Sequence, residues 1–162
     1  MQEIKNYLND NKGAATVMTA RALNVPERDV IRALEGEAVE APVSDFADIM
    51  KDISEWGEVL IIVTNGSVIF EVKSELTEGR FSHGMYNIHS DTAPAGGHFM
   101  SDRFGSIFFV SRPFMGKESL SVQVYDKDGA AAFKVHVGRD KNGELKQNQK
   151  TRFLTLRQGY MQ

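Results

Sequence analysis

A chain of 162 residues, 41% hydrophobic and 25% charged, has the size and composition of one globular domain with a core of its own, not of a disordered tail. Its formal net charge of −3 comes from interleaved acidic and basic residues, which excludes a single-sign field that draws the whole surface onto nucleic acid or an anionic membrane. No apolar run approaches the roughly 20 residues of a membrane span, and with no cysteine there are no disulfides and no thiolate metal sites.

In chain order, Ile4, Tyr7 and Leu8 predict a short amphipathic helix that the polar residues 9–13 end. Residues 16–23 read as a second helix, and Pro26 opens a third whose Val30, Ile31 and Leu34 form a buried stripe before Gly36. Ser44 is the expected N-cap of a helix over 45–55, where Phe46, Ile49, Met50 and Ile53 recur at helical spacing and Gly57 stops the run. From Glu58 the period changes to two. Strands are predicted at 59–64 and 67–73, joined by a tight turn at Asn65-Gly66, then at 83–89, 97–100 and 106–111. Leu120, Val122 and Val124 alternate with Ser121, Gln123 and Tyr125, and after a turn at Asp128-Gly129 a strand over 131–137 alternates Phe133, Val135 and Val137 with Ala132, Lys134 and His136. A last helix starts near Glu144 and carries Leu145, Phe153 and Leu154. The expectation is a single α+β domain over 1–162, with a helical cap over 1–56 and, over 57–162, a mainly antiparallel sheet with a C-terminal helix.

The helix pair between Thr16 and Leu34 has the outline of a helix-turn-helix, so a DNA-binding regulator is one reading. Its second helix, Glu27-Arg28-Asp29-Val30-Ile31-Arg32, is charge-balanced and half apolar, which suits a cap on a sheet better than a helix aimed at base edges, and nucleic acid is not the expected partner. His83 and His89, six residues apart on one expected strand, would lie roughly 20 Å apart and share no ion. No catalytic triad, Walker-type loop or His-Glu-x-x-His motif is present. Met85, Asn87 and His89 share one face of the expected strand, while Tyr86 and Ile88 share the other. Tyr86, His98 and Met85 are side chains of types that ligate haem iron; equally, the tyrosine and methionine pack a sheet and the histidine caps a turn. Arg112, Lys117, Lys134 and Arg139 are cations able to pair with carboxylates or to stand solvated beside turns. Pro113 removes a ladder donor, so Phe114-Met115-Gly116 reads as a fixed corner and a candidate dimer contact.

The segments Ser111-Arg112-Pro113-Phe114-Met115-Gly116-Lys117-Glu118-Ser119 and Phe133-Lys134-Val135-His136-Val137-Gly138-Arg139-Asp140, with Gly97-His98 before them and Glu144-Leu145 after, are more specific than any of these patterns. Together they resemble the bacterial cytosolic haem-utilisation carriers of the HutX/ChuX type, best over about residues 56–153. The resemblance implies a curved, saddle-like antiparallel sheet flanked by helices, and a homodimer similar in architecture to one tandem-repeat protein of the HemS/ChuS type. It implies non-covalent binding of haem b in the cytoplasm, where the N-terminal residues, lacking a secretory layout, also point. It further implies delivery of the haem to a haem-degrading partner enzyme without catalysis by this chain, the alternative being a reductant-dependent haem-degrading enzyme. Carried over by position, His98 and Tyr86 are the expected iron ligands with Met85 beside them, and Arg112 and Lys117 are expected at the propionates. Two departures stand out: Met85 replaces the first aromatic of a Gly-aromatic-aromatic-Asn element, and residues 62–65 lack a histidine that some relatives carry there.

Overall fold

The structure, a computed structural model, describes residues 1–161. Three short helices open the chain: α1 (Gln2–Asp10), α2 (Thr16–Leu23) and α3 (Glu27–Arg32). Strand β1 (Ala38–Ala41) and helix α4 (Phe46–Ser54) follow, then β2 (Val59–Thr64), β3 (Ile69–Ser74), β4 (Arg80–Ser82), β5 (Met85–Ile88) and β6 (Gly97–Phe99). Three longer strands, β7 (Phe104–Ser111), β8 (Leu120–Asp126) and β9 (Ala131–His136), precede the last helix, α5 (Gln147–Gln158). The fold is α+β. Six strands form an antiparallel sheet in the order β1-β7-β8-β9-β2-β3, and β4-β5-β6 form a second, smaller sheet.

The alternation in β8 and β9 sends side chains to two different cores. Val122, Val124, Phe133 and Val135 meet Phe46, Ile49 and Ile53 of α4, Phe153 of α5, and Tyr86 and Ile88 of the small sheet. On the opposite face, Phe108, Val110 and Tyr125 meet Ile31 and Leu34, and behind these Ile4, Ala20, Val30 and Ala33 hold the three N-terminal helices together. β8 is therefore buried on both faces, Ser121, Gln123 and Tyr125 included, instead of having one open face. These polar residues satisfy one another: Tyr125 Oη donates to Gln123 Oε1 at 2.6 Å, and Gln123 Nε2 donates to Ser121 Oγ at 2.9 Å.

Several elements differ from the sequence expectation, each for a local reason. The helical cap is interrupted by β1, whose four residues become a strand by pairing with β7, Ala38 opposite Val110 and Ala41 opposite Ile107. Residues 83–89 do not form one strand: His83 and Gly84, at φ 54° and 73°, make a tight turn between β4 and β5. Asn65-Gly66 is part of a longer connection, in which Asn65 Oδ1 accepts from the amides of Ser67 and Val68 and β3 starts only at Ile69. Ser44 lies inside a 3-10 turn (Val43–Asp45) and caps nothing; its Oγ bonds Asp45 Oδ1 instead. α5 starts at Gln147, because Leu145 is held in a bridge opposite Arg139. The Phe114-to-Lys117 corner does form as expected, with Met115 and Gly116 at positive φ and two backbone hydrogen bonds between Phe114 and Lys117.

One buried side chain joins the ends of three elements. Gln149, fully buried on α5, donates Nε2 to the carbonyls of Trp56 (3.0 Å) and Glu58 (2.8 Å) and accepts the Gly138 amide on Oε1 at 2.7 Å. Gly138 fits there only without a side chain, since a Cβ would stand 2.6 Å from the Glu58 carbonyl oxygen. Replacing Gln149 with methionine keeps the volume, leaves the Trp56 carbonyl and the Gly138 amide without this partner and leaves the Glu58 carbonyl with Lys146 Nζ alone, so urea unfolding should show a loss of about 3 kcal/mol. A loss below about 0.5 kcal/mol would mean that water reaches those groups.

Candidate functional site

The three N-terminal helices cover only part of the face that carries Tyr125. Beyond their edge the sheet is roofed by the loop entering α2, leaving a cavity of about 720 Å3. Leu60 and Ile62 of β2, Ser121 and Gln123 of β8, and Lys134 and His136 of β9 form its floor. Ile69 and Lys73 of β3 form one rim, and Arg112, Pro113 and Phe114 close one end. The register makes this floor: Leu60 and Ser121 both stand opposite His136, and Ile62 and Gln123 both stand opposite Lys134.

Roof and floor are tied by a buried ion pair. Lys134 Nζ lies 2.7 Å from Glu27 Oε1, which also accepts from Thr16 Oγ1 at 2.7 Å, and the two charged side chains are only 13% and 9% exposed. Burial, with the nearby Glu27 charge, pushes the Tyr125 phenol far above its ordinary value and leaves it a neutral donor. His136 is shifted the other way. Burial first, then the charges of Lys134 and Arg139, lowers its pKa to about 4, so the ring is a neutral imidazole in the physiological range. Arg112 Nη1 pairs with Glu37 Oε2 at 2.6 Å, and its Nη2 reaches the Ala14 carbonyl at the roof. Arg139 donates to the carbonyls of Glu118 and Gly143, which fixes the rim against the Phe114 corner; Lys117 stands beside Gly143 at the same place. The segments that single out this chain by sequence are thus largely the end wall and rim of one cavity.

The residues expected at the haem separate into two places. Arg112 lines the cavity and Lys117 stands at its rim, whereas Tyr86, Met85 and His98 belong to the small sheet, outside the lining. Tyr86 is 2% exposed, with its ring edge-on to Phe46 and Phe81 at 5.2 Å each. Its hydroxyl accepts the Gly79 amide at 2.8 Å, and burial raises its pKa, so a phenolate is disfavoured. Met85 and Asn87 lie on the opposite face from Tyr86 and Ile88, as the alternation predicts. His98 is exposed and stands opposite Asn87 in the register. The Asn87 amide nitrogen points at the carbonyls of Arg80, Ser82 and Met85, so Oδ1 faces His98 and accepts its Nδ1–H at 2.6 Å. That fixes the tautomer and leaves the Nε2 lone pair free.

The DNA reading loses its recognition helix. α3 has six residues, buries Val30 and Ile31 completely, and pairs Arg28 with Asp29 and Arg32 with Glu40. The comparisons point elsewhere. The family model described as haem utilisation ChuX/HutX matches residues 39–156. The chain belongs to the ChuX/HutX family. It is 33% identical to the intracellular haem transport protein HutX of Vibrio cholerae over 162 residues, 99% of this chain and 84% of that one. It is also similar to a solved structure of the haem-binding protein ChuX, at 27% identity and a TM-score of 0.88, with 96% of this chain and 97% of that one covered. The haem-degrading enzyme ChuS of Escherichia coli O157:H7 shares the fold at 13% identity and a TM-score of 0.76, and this chain spans 47% of its length. This chain thus matches about half of that longer protein.

His136 was legible in the sequence only as one of four histidines on an alternating strand; the uncovered floor singles it out. Its lowered pKa has a measurable consequence. Between 6.5, the ordinary value, and about 4, the unfolded chain takes up a proton at this ring that the folded chain refuses, so stability falls as the pH drops through that window. Urea midpoints should show wild type losing up to about 1 kcal/mol per pH unit more than His136→Gln over that range. Parallel curves for the two proteins would mean that the ring is solvated in the fold.

Proposed function

We propose that this chain is an intracellular, non-catalytic carrier that binds haem b non-covalently in the cavity over β2, β8 and β9 and passes it to a haem-degrading enzyme. The observation that carries the reading is the cavity itself, joined to family membership. Its volume lies within the range of small-molecule sites. Its floor offers the Leu60 and Ile62 side chains to a flat apolar macrocycle, and Arg112 and Lys141 among its lining, with Lys117 at the rim, offer cations to two propionates. With no cysteine in the chain, thioether attachment is ruled out and the haem leaves as it came.

A second reading places the haem on the small sheet at His98, and one observation favours it: Asn87 already holds the ring in the tautomer a metal ligand needs. A hemin titration followed by visible absorption separates the two. Saturation near one haem per subunit is expected, with about tenfold weaker binding in Arg112→Ala and unchanged binding in His98→Ala, Met85→Ala and Tyr86→Phe. Loss of binding in His98→Ala with Arg112→Ala unaffected would move the site to the small sheet. Linear, unsaturable uptake by the wild type would reject the carrier reading altogether. Addition of a reductant should leave the haem band intact, and its decay to a ring-opened product would identify an enzyme instead.

The same reading includes a homodimer. β3 is an end strand of the large sheet, and it exposes Ile69 and Phe70 at 65% and 63%, with Val68 beside them at 57%. An unpaired edge this apolar is what a second copy covers. Light scattering after size exclusion should give twice the chain mass for wild type and a shift toward monomer for Phe70→Glu; a monomeric wild type at micromolar concentration would overturn the assembly.

A further inference from the structure

A buried or half-buried imidazole in a finished core normally spends at least one ring nitrogen on a hydrogen bond. The His136 ring makes none to any other described residue, and neither nitrogen is sealed away, so its free positions open into the cavity. His136 is the last residue of β9, flanked across the ladder by Leu60 and Ser121. The Ser121 hydroxyl is already engaged by Gln123. Protein side chains that hold haem iron are histidine, cysteine, methionine and tyrosine. Among the described residues lining this cavity His136 is the only one of those types.

We infer that His136 is the iron ligand of a haem lying on the cavity floor, with the macrocycle over Leu60 and Ile62. The inference rests on the cavity reading of the previous subsection and adds the bond that fixes the haem's position within it. Glu27, the acid nearest to Lys134, is already taken by that lysine, and among the described residues no carboxylate is hydrogen-bonded to the His136 ring. The residue was not among the positions expected from sequence, because the family-like segment that contains it reads equally well as strand packing.

The test uses two probes, ferric hemin and iron-free protoporphyrin IX, on wild type, His136→Ala and His98→Ala. Absorption and electron paramagnetic resonance report the ligand, and fluorescence reports the porphyrin. For His136→Ala the expected result is at least tenfold weaker hemin binding with a changed ferric spectrum, restoration of the wild-type spectrum by added imidazole, and unchanged affinity for protoporphyrin IX. His98→Ala should match wild type with both probes. An unchanged ferric spectrum in His136→Ala, or an equal loss of affinity for both probes, overturns the assignment, the second outcome because it would show that the ring only shapes the cavity. If wild type saturates with neither probe, the haem reading itself fails, a result readily told apart from failure of the ligand assignment alone.

Discussion

Six antiparallel strands have two faces to hide, and the packed elements of this chain cover most of one face, leaving Val63 and Phe70 exposed at its β3 edge, and the other only in part. α4, α5 and the small sheet pack against one side, where Phe46, Phe133 and Phe153 fill the core. α1 to α3 cover Phe108, Val110 and Tyr125 on the other side and stop short of the β2 end. The cavity follows from that shortfall. The floor left at that end sets two apolar side chains, Leu60 and Ile62, beside the polar Ser121, Gln123, Lys134 and His136, and apolar area kept in water costs about 25 cal/mol for each Å2.

What holds the partial roof in place is polar. The Glu27–Lys134 pair is nearly sealed from solvent and carries a third partner in Thr16, so the carboxylate is well satisfied. Desolvation makes such a pair a weak source of net stability, yet it fixes a geometry strictly, because each charge must find its one partner. It sets where the α2–α3 connection sits over β9, and therefore how wide the cavity is. Arg112 plays a similar part at the end wall, bonded to Glu37 next to β1 and to the roof carbonyl of Ala14. The sequence segments that mark the family thus owe part of their character to holding this wall, quite apart from any contact with cargo.

Much of the architecture was legible along the chain wherever a signal was local. α2 runs from Thr16 to Leu23 as its pattern says, and β2 runs from Val59 to Thr64. The burial of Tyr86 opposite Met85 follows from alternation alone. The misses have non-local causes. Nothing in Ala-Val-Glu-Ala announces a strand, and β1 exists because β7 offers it a ladder. His83-Gly84 is not a dipeptide usually read as a turn, so β4 and β5 merged into one expected strand. The site was the least legible part, because a cavity is defined by what fails to cover a surface. Arg112 was found through its segment, whereas His136, in plain view on an alternating strand, could not be distinguished from a packing residue until the roof was seen to end before it.

The strand order also dictates how this molecule can assemble. β7, β8 and β9 are sequential neighbours with short connections, and β2 pairs with β3 through a short loop. β1 and β2, however, finish the sheet only by joining strands from the last third of the chain. Loop closure over such separations is the slow part of folding for sheets of this kind. On a ribosome the N-terminal helices and the first hairpin must therefore wait, incompletely docked, until β9 has emerged. The cavity floor, shared between β2 and β9, is among the last surfaces to come into being, so a chain truncated before β9 has nowhere to place a ligand.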